Sequence, residues 1–370
     1  MSLAQQYLKR IPQYTRNARH AWSVVRHGTH RKWANLARVE IERKLRRIEL
    51  KGHPYLLIID PCNYCNLRCP LCPTGLGTLG RPQAMLSFEH FQQFFDPLAD
   101  HLFECYMHNW GESLLNKNVF RMIAHAQSRN VGTNLSTNFS ETSSDDIDQL
   151  LDSGLEYLIV SLDGTSAESY GEYRLRGKFD RVMHNMNELL RRRRVRRLKT
   201  PRVEWQFIVM KQNEHQVDEA ERLARQIGVD LLRFIPVGMP IDHPDRRAAA
   251  EKWYPVTVKG REHRPDDVEQ QFGQANKPGP CFYLYRTMVI NPDGGVSPCC
   301  VVYKKDTDFA QLPGDIHAIW NNERYQSARA LFSPHKPAVP LVTTCDGCDI
   351  FQKYPAVLPA PPLATRMSED

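Results

Sequence analysis

Residues 62–72 read CNYCNLRCPLC, four cysteines in eleven residues. Thiolates are soft ligands that select zinc, copper(I) or iron-sulfur clusters, and their spacing limits the choice. Two CxxC knuckles that share a zinc ion usually lie about a dozen or more residues apart, so that each approaches the tetrahedral ion from its own side. Only three residues separate the two pairs here. A bacterial ferredoxin run has the order C-x2-C-x2-C-x3-C-P, with a second run elsewhere. This stretch has C-x2-C-x3-C-x2-C, and no second run exists.

The cysteines sit in a chain of 370 residues, ten of them Cys. Its first thirty residues lack an apolar run ending in a small-residue cleavage site, and no stretch approaches the roughly 18 consecutive apolar residues of a membrane span. Cytoplasmic residence is the expectation, and in a reducing compartment clustered cysteines bind metal more often than they form disulfides. Residues 1–51 carry 13 Lys/Arg against 3 Asp/Glu, whereas the remainder is slightly acidic. The overall charge of +7 therefore comes from this arm. Trp33, Ala37, Ile41, Leu45 and Ile48 recur at helical spacing within it, with Arg and Lys on the other faces. The pattern predicts an amphipathic helical arm that packs on the main domain or lies on an anionic membrane surface. Nucleic acid is not expected as a partner. RRRRVRR (191–197) reads as the C-terminal end of a helix, where cations meet the negative end of the dipole.

The cysteine run follows YLLIID (55–60), the first of six short apolar runs that alternate with helical patterns. The others are 102–108, 131–137, 156–162, 203–210 and 230–237, with a helix from Ser87 and further helices near 116–129, 143–153, 178–198 and 214–227. This alternation predicts an α/β fold with a parallel sheet. Six units are two short of a complete barrel, so the expectation is an open, partial (β/α)6 TIM-type barrel over 52–238 with its active face at the strand C-termini. Residues 239–280 lose the periodicity and read as a linker or substrate-covering segment. A small cysteine-containing domain over 281–350 and an extended tail over 351–370 follow.

Cys65, Cys69 and Cys72 give CNLRCPLC, a C-x3-C-x2-C pattern directly after the first strand. Here the chain resembles the radical S-adenosylmethionine superfamily, over roughly residues 52–350. The resemblance implies that these three thiolates bind three irons of a [4Fe-4S] cluster and leave the fourth iron open to the methionine part of S-adenosylmethionine. It makes NWGESLL (109–115) the turn whose Gly111 and Glu112 meet the methionine amino group, with Trp110 and Ser113 where the family usually has Gly and Pro. It further implies cosubstrate contacts from Ser136 and Asn138 of STNFS, ribose contacts from Ser161 and Asp163 of SLDG, RFIPVG (233–238) near the adenine, and Arg176 of YRLRG near the cosubstrate.

Cys281, Cys299, Cys345 and Cys348 resemble the twitch module, the shortened relative of the SPASM domain, which implies one auxiliary [4Fe-4S] cluster ligated by four cysteines. A structural zinc on the same thiolates is the alternative, and spacing leaves open whether Cys299 or Cys300 is the ligand. Cys62, Cys105 and Cys300 remain as buried small hydrophobes, or, for Cys300, as a hydrogen-atom donor to a substrate radical. His108, at the mouth of the second strand, is either a substrate contact or structural.

The resemblance implies an oxidoreductase supplied with electrons by a flavodoxin or ferredoxin. Its 5′-deoxyadenosyl radical removes a hydrogen atom from substrate, and the auxiliary cluster accepts an electron, giving dehydrogenation or epimerisation. The expected substrate is small and polar (a sugar, aminocyclitol or glycan), because the arm lacks the winged-helix pattern with which peptide-modifying members often bind a leader. Peptide modification is the alternative, and an iron-sulfur electron carrier a remote one.

Overall fold

The six apolar runs form strands β1 (Leu56–Ile59), β2 (Glu104–Tyr106), β3 (Gly132–Thr137), β4 (Tyr157–Ser161), β5 (Arg202–Val209) and β6 (Leu231–Pro236). They are seen in a computed structural model that describes residues 18–238, 246–255, 277–348 and 350–354. Each strand pairs in parallel with the next, Leu57 opposite Cys105, Tyr106 opposite Asn134, Leu158 opposite Val203 and Gln206 opposite Arg233. Successive side chains point to opposite faces. Leu57, Ile59, Leu135, Leu158, Val160, Trp205 and Phe207 are buried in the main core, beneath helices Phe88–Ala99, Val119–Ser128, Ser144–Asp152, Phe179–Val195 and Val217–Ile227. The intervening residues, among them Tyr106, Asn134, Tyr157, Gln206 and Arg233, therefore turn inward and give the barrel a polar interior. Helix starts are marked as the sequence suggests: Ser87 accepts from His90 N, and Ser143 and Asp146 form a reciprocal capping box.

The sheet does not stop at six strands. Strand β7 (Thr287–Ile290) pairs in parallel with β1, followed by antiparallel β8 (Gly295–Ser297) and β9 (Ala310–Gln311), in the order β6-β5-β4-β3-β2-β1-β7-β8-β9. The C-terminal cysteine domain thus continues the sheet from β1, which would otherwise present an unpaired edge.

The arm packs on the barrel at the end where strands begin. In the helix spanning 18–26, the Ser23 hydroxyl donates to the Phe103 carbonyl, and His20 Nδ1 lies 3.2 Å from the Glu104 carboxylate. His27, just beyond it, contacts both Asn130 and Glu156 at 3.0 Å. Helix His30–Lys44 lies on the same end, but with the opposite face inward from the one its apolar stripe predicts. Lys32, Asn35 and Val39 are buried, whereas Trp33, Ile41 and Leu45 are exposed. The surface beneath it is polar: Lys32 Nζ donates to the Asn130 carbonyl at 2.5 Å, Asn35 bonds both His53 N and O at 2.9 Å, and Glu40 holds Arg286 and the Tyr55 hydroxyl. Partners for backbone and charge, rather than apolar area, decide which face turns in.

Within the segment expected to be a linker, Arg246–Trp253 is a helix. Its Ala249, Ala250 and Trp253 share a small apolar cluster with Leu67, Cys69, Leu71, Tyr173 and Met210. It therefore covers the first cysteine loop. The neighbouring 239–245 and 256–276, and the tail beyond Tyr354, lie outside the described residues.

Candidate active site

Leaving β1, the chain passes through Asp60, which is fully buried and accepts from the backbone N–H groups of Trp110 and Gly111, each at 3.2 Å. Burial pushes this carboxyl up to about 7, against the pull of those donors and of Arg81. The bonds lock the turn after β2 against the start of the cysteine loop. Contact there is so close that a Cβ on Gly111 would stand 1.8 Å from the Cys62 carbonyl oxygen, so only glycine fits. Glu112 braces the same turn from behind. Its carboxylate accepts from the Thr137 hydroxyl at 2.6 Å, Asn138 N at 2.7 Å and Leu114 N at 3.2 Å, and burial raises its pKa. Cys62 is buried with Sγ 3.0 Å from the Glu112 carbonyl.

The other three thiols of the run line one loop. Cys65 Sγ accepts from Leu67 N at 3.4 Å and lies 3.7 Å from Asn138 Nδ2, which also donates to Asn66 Oδ1 at 2.9 Å. Cys72 N donates to the Cys69 carbonyl, and Cys72 caps the short helix Pro73–Leu76. A Cβ on Gly75 would lie 2.6 Å from the Cys69 carbonyl, so that helix presses against the loop backbone. Burial pushes the Cys65 thiol up to about 12, and Glu112, Cys69 and Cys72 add to the effect. Burial also raises Cys69, against the Arg174 guanidinium.

After β4, Asp163 is wholly buried, accepting from Ile208 N at 2.7 Å and pairing with Arg174 Nε at 2.6 Å. Arg174, not Arg176, reaches the cysteine loop. Arg176 is exposed, at φ +70°. Ser161 is buried at the end of β4, Asn138 is buried at the end of β3, and Ser136 is partly open to the interior.

In the C-terminal domain, burial pushes Cys281 up to about 12, with Cys348 adding to it. Burial likewise raises Cys345, with contributions from Cys299, Cys281 and Cys348. Cys300 donates to the Tyr283 hydroxyl at 3.4 Å. Among the described residues no three His, Cys, Asp or Glu side chains converge as a single ion requires. A cluster makes a different demand, with one sulfur for each of several irons, and both cysteine sets are chemically suited to it.

The two sets are joined through Arg81, which follows the first loop. Its guanidinium is 1% exposed and pairs with Asp293 and Asp308 of the C-terminal domain at 2.9 Å each. Trp110 packs edge-on against Tyr303 of the same domain, ring centroids 5.0 Å apart.

Among solved structures, Streptococcus suis SuiB bound to S-adenosylmethionine is similar to this chain at 15% identity and a TM-score of 0.56, over 80% of this chain and 71% of that one. The enzyme anSMEcpe with bound AdoMet and Cp18Cys peptide is similar at 13% identity and a TM-score of 0.53, over 76% and 84%. The SPASM iron-sulfur cluster-binding domain matches residues 281–349, the span holding Cys281, Cys299, Cys300, Cys345 and Cys348. The fold is that of SuiB and anSMEcpe, and its C-terminal part matches the SPASM domain. A curated relative, the AdoMet-dependent heme synthase of Methanosarcina barkeri, is 25% identical over 182 residues, covering 49% of this chain and 50% of the relative. The matched part thus spans about half the length of that relative. The matching domain is described as iron-sulfur cluster-binding, and it is SuiB that is seen bound to S-adenosylmethionine.

Sequence reasoning missed Asp60, Arg81 and Arg174. Asp60 ends the first apolar run and had a signal in its position. Arg81 had none, since its carboxylates lie over two hundred residues away.

Proposed function

We propose that this chain is a radical S-adenosylmethionine enzyme that removes a hydrogen atom from a small, hydroxyl- or amine-bearing substrate held inside the barrel, with dehydrogenation as the net outcome. Cys65, Cys69 and Cys72 would hold the S-adenosylmethionine cluster, and Cys281, Cys299, Cys345 and Cys348 the auxiliary one. When bound, these groups supply reductive cleavage of the sulfonium, a 5′-deoxyadenosyl radical and an acceptor for the substrate's electron.

The chain's own residues set the geometry. Asp60 and Gly111 fix the β2 turn beside the loop, Glu112 ties it to β3, and Leu67 N with Asn138 donates toward the Cys65 sulfur, the kind of bond that tunes a cluster's potential. Helix Arg246–Trp253 keeps water from the loop. The observation that carries the substrate class is the barrel lining: His108 Nδ1 and Asn134 Oδ1 are buried with no partner among the described residues. Burial, helped by Arg19, lowers the His108 pKa to about 4, so it stays neutral. A neutral imidazole nitrogen and a carboxamide oxygen suit hydroxyl and amine groups, and each left unpaired costs about 1–3 kcal/mol. A small electron-transfer protein of the flavodoxin or ferredoxin class is the matching partner.

A peptide substrate is the second reading, favoured by the solved structures of SuiB with precursor peptide SuiA and of anSMEcpe with Cp18Cys peptide. Incubating the anaerobically reconstituted enzyme with reductant, S-adenosylmethionine and carbinol-deuterated sugars and aminocyclitols tests the first. Deuterium should appear in 5′-deoxyadenosine. If none transfers from any of them while unlabelled 5′-deoxyadenosine accumulates, the small-substrate reading is wrong. Iron counting with electron paramagnetic resonance tests the ligands: Cys65/Cys69/Cys72→Ala should retain the auxiliary cluster, and Cys299→Ala but not Cys300→Ala should lose it.

A further inference from the structure

The end of the barrel where strands begin lies opposite the cysteine loops, and it carries a concentration of protruding apolar groups. Helix 18–26 and His27 just beyond it touch Phe103, Asn130 and Glu156, which lie shortly before β2, β3 and β4, and on the helix's outer side Trp22 and Val25 are 63% and 67% exposed. Helix Phe179–Val195 ends at the same place, since β5 begins at Arg202. There Val195 and Leu198 are 71% and 39% exposed. Between them stand Arg194, Arg197, Lys199 and Arg202, all exposed and none with a carboxylate partner among the described residues. Arg191, Arg192, Arg193 and Arg196 of the same run are neutralised by Glu188, Asp148, Asp230 and Asp152. A second row continues along helix His30–Lys44, where Ile41 and Leu45 protrude beside Arg38 and Lys44.

We propose that this face docks on an anionic lipid bilayer, with Trp22, Val25, Val195 and Leu198 entering the headgroup boundary, the unpaired cations on the lipid charge and the active face turned to the water. Charge complementarity selects the occupant. Tryptophan and aliphatic side chains set among cations suit the interface of a bilayer, and an anionic leaflet is drawn to basic groups close to its surface. A protein partner of mixed charge would leave four like charges unmatched. No helix of the described residues is long and apolar enough to cross a membrane, so the contact is peripheral.

Flotation of the full-length protein with phosphatidylcholine vesicles, with and without phosphatidylglycerol, tests this. Wild type should rise with the anionic vesicles only, and less so as salt is added. Arg194→Glu with Arg197→Glu should lower the partition about thirtyfold or more, and Trp22→Glu with Val25→Glu about tenfold or more. All four positions are exposed, so thermal melts should match wild type. The proposal is overturned if wild type does not float, or if neither pair of changes matters. It is equally overturned if only the arginines matter and heparin binds with the same dependence, which would mark a soluble polyanion site. A wild-type dimer that Trp22→Glu with Val25→Glu converts to monomer would make the face a contact between copies instead.

Discussion

Lys32 is an ammonium 2% exposed, held by one carbonyl. Burial, only partly offset by Asp100, lowers its pKa from 10.5 to about 8. Between those values the unfolded chain holds a proton that the folded chain has released, so folding stability rises with pH across that window. Thermal melts of wild type should show the rise from pH 8 upward, and Lys32→Met should flatten it. Cys62 makes a second residue-scale case. Its thiol faces the Glu112 carbonyl, so Cys62→Ala should leave the iron count unchanged and cost about 1–2 kcal/mol in a denaturant titration; a lost cluster would return Cys62 to the ligand set. At this scale the placement of Cys65, Cys69 and Cys72 on one loop after β1 was legible because it is local. The choice between Arg174 and Arg176 was not, because it turns on a left-handed backbone at Arg176, and YRLRG does not encode which arginine the bend brings inward.

Between elements, the decisive contact is Arg81 with Asp293 and Asp308. Arg81→Met would leave Asp308 buried without its cation and Asp293 with Lys305 alone, at 3.6 Å, and breaking such an arrangement costs about 3–5 kcal/mol. Urea unfolding should report that loss, together with weaker retention of iron in both cluster sites, since the same guanidinium joins their loops. The strand-helix alternation was readable throughout because each barrel strand buries one face under a helix, and that leaves a period in the sequence. Helix His30–Lys44 misled for the converse reason. Its inner face is held by Lys32, Asn35 and Glu40 through hydrogen bonds and ion pairs, and hydrophobic periodicity is blind to those.

For the whole molecule, residues 18–51 are part of the domain rather than an attachment to it. A chain beginning at Gly52 would leave Glu104 buried without His20, Glu156 without Arg26 and His27, and Arg286 without Glu40. Its melting temperature should fall by 10 °C or more, on the order of what losing a few buried partners implies, and a truncated protein as stable as wild type would show those contacts to be idle. The pairing of β1 with β7 reaches further, to the order in which the chain is made. Leu56 waits for Thr287, so until the last quarter of the sequence leaves the ribosome, the strand that launches the cysteine loop is an open edge able to pair with any passing strand. Closure of that edge is the most non-local strand pairing among the described residues and should be among the slowest steps of folding. Iron loaded earlier would enter a loop whose neighbouring strand has not yet been synthesised.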